Sequence, residues 1–288
     1  MAHIWTHMLG VSIGLVYVLG TMLPLQAQTA SRPTIQVLAT VPDLGDLVQV
    51  IGRAHVKVTV CAKGTEDAHF VEAKPSFIKA LSQADAYIQI GLDLEAGWAP
   101  TLLTQARNSR VLPGTPGYLD ASMIITPLQV PSGPLDRSMG DVHPAGNPHY
   151  LLDPVRGLQV ARLIRDRLAM LQPMYREDFE AHYATFRQEL GAALVGAPLA
   201  AKYDVEKLAL LADHNRLDAF LQSQGEAALL GGWLGRMQPY RGAKVVADHN
   251  QWVYFTQRFG LETIGFMEPK PGVTPDHTAF AVSHHHYA

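Results

Sequence analysis

The sequence is poor in cysteine, since Cys61 is the only one among its 288 residues. A lone cysteine excludes an intrachain disulfide, a zinc site built from thiolates and a paired redox motif. Charged residues are also scarce, at 17% of the chain against roughly 25% in typical soluble domains, and the formal net charge is only -3. A charge balance so close to neutral does not favour binding to nucleic acid or to an anionic membrane.

The first 28 residues contain no Lys, Arg, Asp or Glu. An apolar run over 9–25 leads into small and polar residues near Ala27, a pattern typical of a secretory signal peptide. We therefore expect residues 1–28 to be a signal peptide and the protein to be exported. An uncleaved membrane anchor is the alternative, since about 20 apolar residues are enough to span a bilayer. No cysteine lies at the end of this segment, so an acylated lipid anchor is not expected.

Histidine, by contrast, is abundant, with 13 residues in the chain. Neutral imidazole is the commonest side-chain ligand of metals. The segment 140–154 carries His143 and His149 together with Asp141 and Asp153, and prolines before His149 and after Asp153 stiffen its backbone. A rigid loop that presents imidazoles is suited to a metal site.

Alternating strands and helices fill the rest of the chain. The hydrophobic pattern predicts strands at 35–39, 56–60, 86–90, 111–112, 243–247 and 263–266. It predicts helices at 43–51, 76–84, 95–106, 155–171, 175–194, 206–220, 226–236 and 252–259. Strands separated by helices of about ten residues favour an α/β fold with a parallel sheet, in which ligands bind beyond the carboxyl ends of the strands.

Three histidines lie where such a fold places ligands. His69 follows the second predicted strand, His249 follows the strand at 243–247, and His149 lies in the rigid loop. Three imidazoles and one oxygen would suit tetrahedral zinc, whereas manganese favours more carboxylate oxygens. Histidines that only donate hydrogen bonds at the surface are the alternative. His143 and Asp141 are candidates for orienting a ligand imidazole or for auxiliary metal binding.

Several segments, in order, resemble the solute-binding proteins of zinc and manganese ABC transporters (cluster A-I, zinc-transport type). The resemblance covers about 35–275. In the first half of the chain it rests on Gly64-Thr65-Glu66-Asp67-Ala68-His69-Phe70-Val71-Glu72-Ala73-Lys74-Pro75-Ser76, on Gly91-Leu92-Asp93-Leu94-Glu95 with Trp98, and on Gly146-Asn147-Pro148-His149-Tyr150-Leu151-Leu152-Asp153-Pro154. In the second half it rests on Val245-Val246-Ala247-Asp248-His249-Asn250 with Tyr254-Phe255 and Arg258-Phe259-Gly260-Leu261, and on Glu268-Pro269-Lys270-Pro271-Gly272-Val273-Thr274-Pro275.

The resemblance implies two α/β lobes joined by a long rigid helix, with the metal in the cleft between them. It makes His69 and His149 ligands from the first lobe and His249 the ligand from the second. The implied boundaries are 31–172 for the first lobe, 173–196 for the linking helix and 197–288 for the second lobe. The family's fourth ligand is an acidic residue well beyond the segment that matches 271–275. The second lobe is therefore expected to be truncated and to lack this ligand.

The function that the resemblance implies is capture of Zn²⁺ in the periplasm and its delivery to an inner-membrane ABC permease. Zinc is then a transported ligand, with manganese less favoured, and the protein is expected to be a monomer without enzymatic activity. A secreted zinc hydrolase is the alternative from another class, although the chain has no HExxH motif and no evident general base near the histidines. A decayed copy that binds metal weakly is a third interpretation.

Overall fold

A four-stranded parallel sheet forms the first part of the computed structural model, which describes residues 34–64, 66–133 and 143–268. The strands run in the order β2-β1-β3-β4, and each neighbouring pair is parallel. Their bounds are β1 (Ile35–Ala39), β2 (Val56–Val60), β3 (Ala86–Gln89) and β4 (Tyr118–Asp120). The predicted α/β class with parallel sheets is therefore confirmed, and so are the bounds predicted for β1 and β2.

Three helices connect or flank these strands, and two long ones follow. They are α1 (Pro42–Gly52), α2 (Pro75–Gln83), α3 (Ala99–Ala106), α4 (Pro154–Leu171) and α5 (Arg176–Val195). Proline occupies the first helical position of α1, α2 and α4, where its missing N–H would have no partner inside the helix. Each of these helices therefore starts at a point that the sequence dictates.

The second part contains a parallel pair of strands and five short helices. These are α6 (Ala197–Lys202), α7 (Val205–Asp213), α8 (Leu217–Ser223), α9 (Gly232–Met237), β5 (Lys244–Ala247), α10 (Val253–Phe259) and β6 (Glu262–Phe266). We refer to the part built on β1–β4 as the first lobe and to the part built on β5 and β6 as the second lobe. The 20-residue α5 is about 30 Å long and packs against α1 and α4 and also against α6, α7 and α9.

Apolar side chains cover both faces of the first sheet. Val37 and Ala39 of β1 face the larger core cluster, whereas Leu38 faces a smaller one, as the alternation of a strand requires. The larger cluster is continuous through α4 and α5 and includes Leu221 and Phe259 of the second lobe. Both lobes therefore share one core. In the described part of the chain, no helix combines the length and the apolar character needed to cross a membrane.

Three predicted elements are wrong. The segment predicted as a fourth strand at 111–112 instead ends a 3₁₀ turn, Ser109–Val111, because Asn108 accepts a hydrogen bond from the backbone N–H of Arg110. The helix predicted over 206–220 is broken between α7 and α8, where Asn215 adopts a positive φ of 54°. Of the helix predicted over 226–236, Ala227–Leu229 form a 3₁₀ turn instead, and α9 begins only at Gly232, whose φ is 57°.

Some predictions concern residues outside the described part. The signal peptide at 1–28 and Asp141 both lie there, as do all residues beyond 268. The boundaries at 31–172, 173–196 and 197–288 and the truncation of the second lobe stay predictions.

Candidate metal centre

His69 lies in a short 3₁₀ turn, Ala68–Phe70, beyond the carboxyl end of β2. Oδ1 of Asp67 accepts hydrogen bonds from the backbone N of His69 at 2.9 Å and from its ring Nδ1 at 2.7 Å. Nε1 of Trp98 donates to the carbonyl oxygen of Ala68 at 2.9 Å, which fixes the turn against the start of α3. Because Nδ1 donates to Asp67, Nε2 carries the lone pair of a neutral His69 ring.

The loop of His149 repeats this arrangement with an amide in place of the carboxylate. Oδ1 of Asn147 accepts from the backbone N and from Nδ1 of His149, both at 3.0 Å. Gly146 has a φ of 105°, and a Cβ added there would lie 2.7 Å from Cβ of Pro127 and 3.0 Å from the carbonyl oxygen of Leu128. Only glycine fits this close approach, so the sequence itself sets the path of the loop.

His249 comes from the second lobe, two residues after the end of β5. Its Nδ1 lies 3.2 Å from Oδ2 of Asp248. Burial alone would raise the pKa of Asp248, but hydrogen bonds from Nε1 of Trp252, the backbone of His249 and Nε2 of Gln251 outweigh it and lower that pKa. An ionised carboxylate beside Nδ1 favours a proton on that nitrogen and leaves the lone pair on Nε2.

The structure brings four imidazole rings together. The ring centroids of His69 and His149 are 5.7 Å apart, and those of His149 and His249 are 6.2 Å apart. The ring of His143 stacks on that of His69 at 5.0 Å, with the two Nε2 atoms separated by 3.0 Å. All three predicted ligands, from both lobes, therefore line one site. His143 contacts His69 directly and thus lies at the same site.

The centroids of the predicted ligand rings lie farther apart than those of imidazoles on one zinc ion. Two imidazoles bound through Nε2 to one tetrahedral zinc would have centroids roughly 5 Å apart and nitrogens roughly 3.3 Å apart. The centroids of His149 and His249, at 6.2 Å, are farther apart than those of His69 and His149, at 5.7 Å. Within residues 34–64, 66–133 and 143–268, no group of three or more His, Cys, Asp or Glu side chains is already arranged to hold a metal ion. The role of the histidines as ligands stays a prediction.

Three residues that orient the rings escaped the sequence-based prediction: Asp67, Asn147 and Asp248. A local signal for them exists. Each predicted ligand has an Asp or Asn one or two residues before it, where a short side chain can reach Nδ1. Asp141, which was predicted to assist, lies outside the described residues.

A buried ion network lies beneath the loop of His149. Asp153 is fully buried and accepts hydrogen bonds from Nε and Nη2 of Arg258, both at 2.8 Å, and from Nη1 of Arg156. Nη2 of Arg258 also donates to Asp213 at 2.7 Å. Burial lowers the pKa of Arg258, but the hydrogen bond and charge of Asp153 outweigh this and raise it. The network therefore ties the start of α4 to α10 and the end of α7.

Comparison with solved structures defines the class of protein. A crystal structure of ZnuA matches with a TM-score of 0.57 and 26% identity, over 85% of this chain and 74% of the other. The Mn-bound periplasmic metal binding protein from Candidatus Liberibacter asiaticus matches with a TM-score of 0.53 and 17% identity, over 81% of this chain and 68% of the other. The fold is that of the periplasmic solute-binding proteins of metal transport.

Sequence comparison identifies the family. Residues 37–225 match the family described as zinc-uptake complex component A, periplasmic, and the chain belongs to this family, as the resemblance predicted. The manganese-binding lipoprotein MntA of Halalkalibacterium halodurans is 23% identical over 234 residues, which are 81% of this chain. The chain spans only 61% of the length of that relative.

Proposed function

We propose that this protein is an exported receptor that captures Zn²⁺ and delivers it to an inner-membrane ABC permease. His69, His149 and His249 are the proposed ligands. One observation carries the proposal, namely the matched orientation of these gathered rings. Each ring has Nδ1 beside an oxygen of a residue one or two positions earlier. The ring centroid of His149 lies within 6.2 Å of those of His69 and His249. Such oxygens fix the orientation and tautomer of metal-binding imidazoles.

Zinc is the proposed metal because the gathered donors are imidazoles. Manganese prefers carboxylate and water oxygens, whereas zinc accepts nitrogen donors in a tetrahedral shell. The names of the relatives include both zinc-uptake and manganese-binding proteins. They therefore support binding of a divalent metal but do not favour zinc over manganese. His143 is an auxiliary group in this proposal, since its Nε2 faces that of His69 at 3.0 Å. Asp141 is its proposed partner.

A zinc hydrolase is less well supported. The carboxylates nearest to the ligand rings, Asp67 and Asp248, accept hydrogen bonds from neighbouring side chains, namely His69 in one case and Trp252 and Gln251 in the other. A general base must instead reach a metal-bound water. We therefore propose a transport protein without catalytic activity, which acts as a monomer in the periplasm after removal of residues 1–28.

Calorimetric titration with Zn²⁺ tests this function. We expect the parent chain to bind zinc at neutral pH, His149→Ala to lose this binding, and the exposed His214→Ala to retain it. Protons compete with metal for imidazole nitrogen, so affinity should also fall as the pH is lowered from about 7 to 5. A parent chain that binds no zinc would favour a decayed copy. Zinc-dependent ester hydrolysis that His149→Ala abolishes would favour a hydrolase.

A further inference from the structure

Three amide side chains form a closed hydrogen-bonded set where the two lobes meet beside the histidines. Nδ2 of Asn147 donates to Oε1 of Gln129 at 2.9 Å and to the carbonyl oxygen of Asn250 at 2.8 Å. Nδ2 of Asn250 donates to the same Oε1 at 3.0 Å, and Nε2 of Gln129 donates to Oδ1 of Asn250 at 3.0 Å. We refer to Gln129, Asn147 and Asn250 as the amide seam.

The amide seam uses all the hydrogen-bonding capacity of Asn147. Its two N–H groups bind Gln129 and Asn250, while Oδ1 accepts twice from His149. Asn250 is the residue directly after His249. A shift in the seam therefore moves a ligand ring on each side of it.

The backbone around Gln129 is fixed to the same elements. The carbonyl oxygen of Leu128 accepts from the backbone N of Asn147 at 2.8 Å. The hydroxyl of Tyr254 accepts from the backbone N of Leu128 at 3.0 Å and donates to the carbonyl oxygen of Asn147 at 2.7 Å. Gln129 itself has a positive φ of 54°. A glutamine rarely adopts this conformation, and such strain persists where the surrounding contacts impose it.

We propose that Gln129 is a positioning residue, which sets the separation of His149 and His249 and through it the affinity for zinc. Gln129 binds no metal itself. It bridges the loops of the two proposed ligands, whose ring centroids lie 6.2 Å apart. This inference rests on the proposed function, because it needs these histidines to be the ligands.

The full chain carrying Gln129→Leu tests the inference, with zinc affinity measured by competition against a chromophoric chelator. We expect a loss of roughly 10- to 100-fold, as is usual when a partner that orients a ligand is removed. Gln129→Glu keeps the oxygen that accepts from Asn147 and Asn250 and loses only one donor, so its loss should be smaller. Gln222→Leu, on an exposed face of α8, is the matched control and should keep the parent affinity.

Co²⁺ provides a readout that a purely structural role would not change. Its visible absorption bands depend on ligand geometry, so Gln129→Leu should alter them, while Gln222→Leu should not. If Gln129→Leu fails to fold, Asn250→Ala removes the other side of the same bridge and should show the same loss. If folded Gln129→Leu had parent-like zinc affinity and an unchanged cobalt spectrum, this inference would be overturned and the proposed function would stand. A parent chain that binds no zinc would overturn both the inference and the proposed function.

Discussion

The two ligand loops of the first lobe are held in different ways. The turn of His69 is held by contacts inside the first lobe, namely the side chain of Asp67 and the hydrogen bond from Trp98 to Ala68. The loop of His149 depends on contacts that reach across the molecule, through the amide seam and through Asp153 to α10. One loop is therefore held within its own lobe, and the other is part of the joint between the lobes.

This difference divides the site into a side held across the two lobes and a side held within the first lobe. His149 and His249 are linked through Asn147 and Asn250, which fix their relative position. His69 is linked to Asp67 and stacks on His143. Three substitution experiments test this contrast.

Removal of Asp153 should have the largest effect. Its carboxylate is 0% exposed and partners Arg156 and Arg258, and breaking a buried ion pair costs about 3–5 kcal/mol. Asp153→Ala should therefore lower the free energy of unfolding by this amount in a urea titration followed by circular dichroism. Asp67 is 50% exposed, so Asp67→Ala should cost at most about 1 kcal/mol as a lost cap. Equal losses would remove the distinction between the loops.

A methyl group at Gly146 should have an intermediate effect. Gly146→Ala places a Cβ 2.7 Å from Pro127 at a φ of 105°, and we expect a loss of stability of about 1–3 kcal/mol. Gly64→Ala, in the loop of His69, is the matched control, because a Cβ added at Gly64 meets no heavy atom within 4 Å. Thermal unfolding of the two variants should differ clearly, and similar midpoints would count against the tighter fit of the His149 loop.

Substitution of Asp67 should have the smallest effect, and it should appear in metal affinity rather than in stability. Asp67→Ala removes the acceptor of Nδ1 of His69, and we expect zinc affinity to fall about tenfold. Asp67→Asn reproduces the arrangement that Asn147 gives to His149, so it should retain most of the affinity. Chelator competition measures both variants. If the Asn variant were as weak as the Ala variant, the charge of Asp67 rather than its hydrogen bond would matter.

The sequence was informative wherever a local pattern decides the structure. Val56–Val60 alternates apolar and polar residues and forms β2 with the predicted bounds. The positions of His69 and His249 beyond the carboxyl ends of β2 and β5 were also predictable, since such folds gather ligands there. The break at Asn215 was missed, although an asparagine in the left-handed conformation is a known way to end a helix.

The amide seam was beyond sequence-based prediction for a different reason. Gln129 lies in a loop rich in glycine, proline and serine, without periodic apolar positions. Its partners are 18 and 121 residues away along the chain, and no spacing rule connects amides over such distances. The ion network of Asp153 with Arg258 spans 105 residues and is hidden in the same way. Contacts of this kind become visible only when the fold has placed both partners.

The core shared by the two lobes has a consequence for motion. A receptor built like a clamshell opens by rotating two independent bodies about a hinge, at little cost in buried surface. Here the larger core cluster runs from Ile35 in the first lobe to Phe259 in the second. Wide rotation would separate apolar surfaces, at about 25 cal/mol for each Å² exposed to water. Spontaneous opening should therefore be rare, and in the proposed function the mechanical work of releasing the ion would fall to the permease.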